Sequence, residues 1–387
     1  MLPVKLNDDI YWVGGIDWDL RNFHGYLTQR GSTYNAYLIM DEKITLIDTV
    51  KHYLADELLE RISHVVDPAR IDLVISNHVE MDHSGSLPRI MDLLPQAQLV
   101  TSPSGEKGLR AHYRKDWNFK IVKSGESVNL GKRSIQFVHT PMVHWPDNMV
   151  SYCPEEKILF SNDAFGQHIA SSERFDDELP LDMVMGEARK YYANIVLPYG
   201  EQVQKALGAL AGIPIDMIAP SHGVIWRRHI PAILEEYRQW STHQTQNRAL
   251  IIYDTMWGST EKIAYAIQRA FESRGLSTAM LTLRNNHISD IMTEVLTARY
   301  LMIGSPTLNN TMLPTVASFL TYLRGLAPKN RKAAAFGSYG WSGQSIAQVE
   351  EILKACNFDI MTDMIRVKYI PDAQELKSIE DKIVSCL

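Results

Sequence analysis

Four short apolar runs in this chain each lead to side chains that bind metals, and that repetition constrains the fold more than any other feature. Ile71 to Ile75 reads as a buried strand. It leads to His78-Val79-Glu80-Met81-Asp82-His83, four metal-binding side chains within six residues. Ser134 to Thr140 runs into Pro141-Met142-Val143-His144-Trp145-Pro146-Asp147. Ile158 to Asn162 leads to Asp163, and Ile215 to Ala219 leads to Pro220-Ser221-His222-Gly223. Each segment reads as a strand delivering ligands to a common edge. Together they offer four imidazoles and three carboxylates: His78, Glu80, Asp82, His83, His144, Asp163 and His222. A single ion cannot easily use so many close neighbours, whereas two adjacent ions can share them. The expectation is a binuclear metal centre.

A lone His or Asp is usually a surface or capping residue, and most of the 13 histidines should be that. His52, His64, His112, His229, His243 and His287 lie in polar or helical contexts, and no role is expected for them. His139 lies two residues before Pro141 and competes with His144 as the ligand from that segment. The six-residue cluster is too dense for chance to explain it.

At 387 residues the chain has room for two domains. Its 45% hydrophobic and 22% charged content suits a soluble globular protein. No window approaches ~18 uninterrupted apolar residues, so no membrane association is expected. The start, Met1-Leu2-Pro3-Val4-Lys5, lacks the basic and apolar regions of a signal peptide. Cys153, Cys356 and Cys386 form no C-x-x-C pair, which excludes a Cys₄ iron site or a ferredoxin cluster in this chain. Scattered thiols also fit a reducing cytoplasm. Residues 248–387 carry 15 Lys and Arg against 13 Asp and Glu, leaving 24 against 32 for the remainder. Neither part is basic enough to suggest nucleic acid binding.

Residues 1 to about 245 alternate apolar runs with turn signals. Ile10 to Gly14, Thr33 to Ile39 and Ile44 to Asp48 read as strands, and His52 to Val65 as a helix. Leu87 to Leu94 reads as helical, Phe119 to Phe137 as antiparallel strands, and Glu187 to Tyr192 and Gln202 to Ala211 as helices. The mixture suits an αββα sandwich. A polar stretch, Ser241 to Asn247, reads as a linker. From residue 246 to 387 the pattern becomes regular. Strands at Ala249 to Tyr253, Thr278 to Leu283, Tyr300 to Gly304, Ala333 to Gly337 and Asp359 to Val367 alternate with five helices. That is the pattern of a doubly wound, five-stranded parallel sheet.

Such sheets bind ligands at the C-terminal ends of their strands. Asp254-Thr255-Met256-Trp257-Gly258-Ser259-Thr260 follows the first strand and opens a helix, offering hydroxyls and N–H groups to a phosphate dianion. It is neither a Walker A loop nor G-x-G-x-x-G. Ser305-Pro306-Thr307-Leu308-Asn309-Asn310 and Ser338-Tyr339-Gly340-Trp341-Ser342-Gly343 follow the third and fourth strands. Their small residues admit a flat ring, and their aromatic residues can stack on it.

These motifs carry resemblances. The ligand series resembles the metallo-β-lactamase superfamily signature H-x-H-x-D-H, then H, D and H, with Glu80 in place of the second His. A His after Thr-Pro is the superfamily pattern, which favours His144 over His139. An added carboxylate hardens the site and favours iron over zinc. The second half resembles flavodoxin, whose T-x-x-G-x-T phosphate loop matches Thr255, Gly258 and Thr260. This implies FMN.

The two halves together resemble the flavodiiron proteins, most specifically at His78 to His83, His144-Trp145-Pro146-Asp147, Asn162 to Gly166 and Ser338 to Trp341. The resemblance implies a metallo-β-lactamase-like domain at 1–245 and a flavodoxin-like domain at 246–387. It implies one iron on His78, Glu80 and His144 and another on Asp82, His83 and His222. Asp163 and a solvent-derived oxo or hydroxo group would bridge them. It implies reduction of O₂ to water, NO to N₂O, or both. Four electrons for O₂ match two from a flavin and two from an iron pair. His24 and Tyr192 are expected to line the gas pocket. A head-to-tail homodimer or a dimer of dimers is expected, with rubredoxin as electron donor or reduced coenzyme F420 as the alternative. Lys329, Arg331 and Lys332 form a basic cluster suited to steering an acidic donor. The rival readings are a binuclear zinc hydrolase with an appended flavodoxin-like domain, and an electron carrier without gas chemistry.

Overall fold

The computed structural model describes residues 2–387. Its contacts divide the chain into two units: residues 1–191 with 201–238, and 192–200 with 239–387. The excursion at 192–200 was not expected. There the helix Leu181–Tyr191 widens into a π-helical stretch, Tyr192–Val196. Asn194 ties that stretch into the second unit, donating to the Ser289 carbonyl at 3.0 Å and accepting from the Tyr322 hydroxyl at 2.8 Å.

The first unit contains two large sheets. One has seven strands in the spatial order Val4–Lys5, Ile10–Trp12, Tyr37–Ile39, Thr45–Ile47, Leu73–Ile75, Gln98–Thr101 and Phe119–Ile121. The other has five, in the order Ser127–Asn129, Ser134–His139, Met149–Cys153, Ile158–Asn162 and Met217–Pro220. Strand alternation assigns each side chain to a layer. Tyr37, Ile39 and Ile75 join Phe137, Met149 and Phe160 in one apolar cluster shared by the two sheets. Leu38, Leu46 and Val74 turn the other way, onto Leu58 and Ile62 of the helix Ala55–Ser63 and Ile90 of Leu87–Leu93. Full burial of each such side chain stabilises the fold by about 1.5–3 kcal/mol. The architecture is the expected sandwich with helices outside.

Three local expectations need correction. Thr33 to Ile39 is not one strand: Ser32–Tyr34 pairs with Gly15–Asp17, and Tyr37–Ile39 joins the seven-stranded sheet. The buried Asn35 lies between them and donates to the carbonyls of Pro220 and Gly223. Phe119–Ile121 pairs in parallel with Gln98–Thr101, so only Ser127–Asn129 and Ser134–His139 form the antiparallel pair. The polar linker is short, because the helix Ile230–Ser241 and the strand Gln246–Tyr253 consume both its ends.

The second unit is built on a parallel sheet in the order Ser277–Thr282, Gln246–Tyr253, Ala298–Gly304 and Lys332–Tyr339, then Asp359–Ile360 and Ile365–Lys368. The last strand is thus two short pieces on one neighbour, where a single run was expected. Strand order reverses at Gln246–Tyr253, which opens a crevice at the C-terminal ends beside it. Five helices alternate with the strands, and the last, Ala373–Val384, starts with a capping box between Asp372 and Glu375. No helix among the described residues is long and apolar enough to cross a membrane.

Candidate metal centre and flavin cleft

All seven expected ligands meet at the strand ends of the first unit, in two groups: His78, Glu80, His144 and Asp163, and Asp82, His83 and His222. The strand Leu73–Ile75 delivers His78, and the short helix Met81–Ser84 then presents Asp82 and His83. Asp163 follows Ile158–Asn162, and His222 follows Met217–Pro220. His139 is turned away, its Nε2 lying 3.0 Å from the Val122 carbonyl.

Asp163 stands between the groups. Its Oδ2 lies 3.6 Å from His78 Nε2 and 3.4 Å from His144 Nε2. Its Oδ1 lies 3.0 Å from His83 Nε2 and 3.4 Å from His222 Nε2. Glu80 Oε2 lies 3.4 Å from His78 Nε2 and 3.3 Å from His144 Nε2. Asp82 approaches His83 Nε2 at 3.4 Å and His222 Nε2 at 3.3 Å. Ligand bonds of ~2.1 Å meeting at tetrahedral angles would separate neighbouring donor atoms by about 3.4 Å. The donor atoms are therefore close enough to share ions.

The polar groups make the same point. His78 Nε2, both ring nitrogens of His83 and all four carboxylate oxygens of Asp82 and Asp163 are buried without a hydrogen-bond partner. Buried groups of this kind are costly unless something satisfies them. Burial alone would raise the Glu80 carboxyl, yet the imidazoles of His144, His24 and His78 beside it hold it well below the usual range. Burial also opposes ionisation of Asp163, but the imidazoles of His83, His144 and His222 around it push it far down. Burial disfavours imidazolium, but Asp163 and Glu80 bring His144 up to about 9, and Asp163 with Asp82 bring His222 up to about 10. The cluster is a well of negative potential, in which protons stand in for metal cations.

Outer contacts fix the ligand rings. His78 Nδ1 donates to Asp147 at 2.8 Å, and His222 Nδ1 donates to the Thr33 carbonyl at 2.8 Å. Both therefore present Nε2 inward. Gly223 has φ +78°, and a Cβ there would lie 2.0 Å from Gln167 Oε1, so the turn that places His222 requires glycine.

His24 reaches Glu80 Oε1 at 3.2 Å with its side chain 73% exposed, so it joins a ligand to solvent. Tyr192 does not line the centre as expected. Its ring packs on Trp240, centroids 5.1 Å apart, while the preceding Tyr191 lies 5.8 Å from His222 and 5.2 Å from His168. The register changes where the helix widens, and two adjacent tyrosines left the choice open. Sequence reasoning also missed His168. It is fully buried against His222, ring centroids 5.0 Å apart, with Nδ1 2.7 Å from the Ser32 hydroxyl. Its position five residues beyond Asp163, in the loop carrying that carboxylate, was the available signal.

In the second unit, all three expected loops border one cleft of about 790 Å³, a size suited to a cofactor. Met256, Trp257 and Ser259 line it from the first loop, and Pro306, Thr307, Asn309 and Asn310 from the second. Ser338, Tyr339, Gly340, Trp341 and Ser342 line it from the third. The other residues named from the sequence support these loops. Thr255 Oγ1 accepts from the Gly258 N–H at 3.0 Å, and Thr260 and Ser338 share a 3.2 Å hydroxyl contact. Ser305 Oγ accepts from the Leu313 N–H, Leu308 closes a turn with Thr311, and Gly343 precedes the helix Gln344–Ala355. Tyr369 and Ile370 also line the cleft and were missed, although they follow the last strand at the same sheet edge. Trp257 and Trp341 are 94% and 88% exposed, as rings kept for stacking would be. Arg331 is not a surface cation: it is buried and donates to the carbonyls of Val295, Leu296 and Lys329.

A metallo-β-lactamase-like sandwich with a carboxylate-rich two-ion cluster, joined to a flavodoxin-like sheet, defines the class. Residues 33–223 match the ODP family beta lactamase, and residues 251–381 match flavodoxin. The chain is 45% identical to a nitric oxide reductase of Moorella thermoacetica over 97% of this chain and 96% of that protein. It is 42% identical to a rubredoxin-oxygen oxidoreductase of Megalodesulfovibrio gigas over 100% and 98%. The solved structure of the flavodiiron protein of Giardia intestinalis superposes with a TM-score of 0.96 at 35% identity, covering 99% of this chain and 95% of that one. The chain belongs to the flavodiiron proteins. The flavodoxin match implies FMN, and the ligand cluster fits an iron pair.

Proposed function

We infer that this protein is an oxidoreductase that reduces O₂ to water, NO to N₂O, or both, at a non-haem diiron site supplied with electrons through FMN. The observation that carries the reading is Asp163, with one oxygen facing each group of histidines. His78, Glu80 and His144 are proposed for one iron, Asp82, His83 and His222 for the other, and Asp163 as their bridge. When bound, the iron pair and FMN supply the reducing electrons and a Lewis-acid site for a diatomic gas.

The protein's own groups supply orientation and protons. Asp147 and the Thr33 carbonyl hold His78 and His222 in one tautomer. The hydrogen bond to Glu80 holds the His24 imidazole above its ordinary range, favouring a proton on the nitrogen facing Glu80 Oε1. Both reductions consume protons, and His24 is exposed enough to recover one from water. Tyr191, Tyr34 and Phe23 pack around His222 and keep bulk water from that side.

The metal-bearing half is taken as 1–245 and the flavin half as 246–387. A rubredoxin-type donor is proposed, with coenzyme F420 as the alternative. Support for rubredoxin is the name of the Megalodesulfovibrio gigas relative. A head-to-tail dimer or a dimer of dimers is proposed, supported by the exposed Trp257 and Trp341 beside the flavin cleft. A cytoplasmic location is supported by three unpaired cysteines.

The test is anaerobic stopped-flow mixing of the reduced, iron-loaded protein with O₂ and with NO, beside metal analysis. Rapid flavin reoxidation by at least one gas is expected. Activity with zinc alone, or no reaction with either gas, would overturn the reading.

A further inference from the structure

We propose that a small apolar cavity in the first unit is a docking site and entry route for the neutral diatomic gas on its way to the metal centre. It rests on the gas-reductase reading above. The cavity lies on the outer face of the five-stranded sheet. Met149 and Phe160 point into the core between the sheets, while their neighbours Val150 and Ser161 point the other way and line the cavity. The helix Gly200–Ala209 covers that face with Val203, Ala206 and Leu207, and Leu210 continues the stripe at helical spacing.

Three observations select the occupant. The first is position. Val143 and Ala164 line the cavity, and they are the immediate chain neighbours of His144 and Asp163. The far side reaches Ala206, Leu207 and Leu210, which are half-exposed. The cavity thus lies between a solvent-facing helix and the backbone that carries two ligands.

The second is chemistry. Of the three polar side chains at the wall, two are engaged with backbone: Ser161 Oγ donates to the Ala164 carbonyl at 2.7 Å, and the Tyr237 hydroxyl accepts from the Phe165 N–H at 2.7 Å, leaving Thr140 as the third. A water inside would find almost no partners, and apolar cavities of this kind stay dry while accepting apolar guests such as xenon. O₂ and NO are small, neutral and weakly hydrated, so they partition into such a space. The third is size. The cavity has room for about 20 Å³ of guest centres, which admits one water-sized or diatomic guest and excludes larger substrates.

Crystals of the iron-loaded protein under xenon pressure test the site, and gas-binding kinetics test the route. Xenon density is expected between Val143, Ala164 and Ala206. Ala206→Phe fills the cavity, and Leu207→Ala enlarges it; neither residue is among the candidate ligands. A route changes entry and exit alike, because both pass the same barrier. In Ala206→Phe, the association and dissociation rates of NO with the diferrous protein are expected to fall together by roughly tenfold, with Kd unchanged. Leu207→Ala should raise both rates.

Absence of xenon overturns the docking site. Unchanged rates in an Ala206→Phe protein whose crystal structure shows the cavity filled overturn the route. So does a changed Kd with an unchanged association rate, which would mean the substitution acts through the metal. If the unaltered reduced protein binds neither gas, the functional reading fails instead, and xenon density alone then decides whether the cavity takes apolar guests.

Discussion

His78 Nδ1 lies 2.8 Å from the Asp147 carboxylate, which also accepts the Val79 N–H at 2.8 Å. One carboxylate therefore fixes both the tautomer of a metal ligand and the turn that carries it. Asp147→Asn keeps the shape but removes the charge that makes His78 a stronger base. Iron affinity should fall by about 10–100-fold. Chelator competition would measure this, with the flavin content unchanged.

Removing the metal should destabilise the first unit, since ions that bind only the folded state add about 2.7 kcal/mol when present at 100 Kd. The chelated protein should also acquire a pH dependence. His144 and His222, raised to about 9 and about 10 against burial by Asp163 with Glu80 or Asp82, stabilise fully below about pH 6.5 and lose that contribution as pH rises through 9 to 10. The lowered carboxyls of Glu80, Asp82 and Asp163 act in the opposite sense, stabilising above about pH 4 and losing the contribution in stronger acid. Calorimetry of the metal-free protein should therefore show greatest stability between about pH 4.5 and 6.5. The iron-loaded protein should lack the alkaline decline, because bound ions keep the imidazoles deprotonated.

In the flavin cleft, Thr255 orders its loop by accepting the Gly258 N–H, and Gly258 takes φ +84°. Thr255→Ala removes that bond, which orders the loop expected to hold the phosphate. FMN affinity should weaken about tenfold, equivalent to about 1.4 kcal/mol. Flavin fluorescence titration is the measurement, and iron content should not change.

Tyr191 and Tyr192 give opposite expectations. Tyr191→Leu removes a ring packed on His222 and His168 and should alter turnover or the ratio of O₂ to NO activity. Tyr192→Phe keeps the ring stacked on Trp240 and should leave that ratio within about twofold, because an isosteric change away from the ligands alters little. Steady-state assays with both gases discriminate between them.

The ligand series was legible because metal binding demands particular side chains, and strand periodicity told where each would emerge. The parallel sheet of the second unit was legible for a similar reason, since strand and helix alternate there with little interruption. What escaped was set by tertiary contact. Thr33 to Ile39 reads as one β-rich run, yet Asn35 spends its side chain on two carbonyls more than 180 residues away and breaks it. Tyr191 and Tyr192 are the same residue type, and only the widened helix turn decides which faces His222. Arg331 reads as a surface charge beside Lys329 and Lys332, but three carbonyls draw it inside. His168 carries no motif of its own; its meaning comes from the rings around it.

The distribution of the ligands along the chain also governs when iron can be captured. An ion meeting the unfolded polypeptide would find only the short 78–83 stretch, because His144, Asp163 and His222 arrive from distant strands. Strong capture must wait until both sheets have closed over their shared core. Discrimination between iron and its competitors is then made by a finished cage with Glu80 already in place, and not by a nascent chain that would accept whichever ion came first.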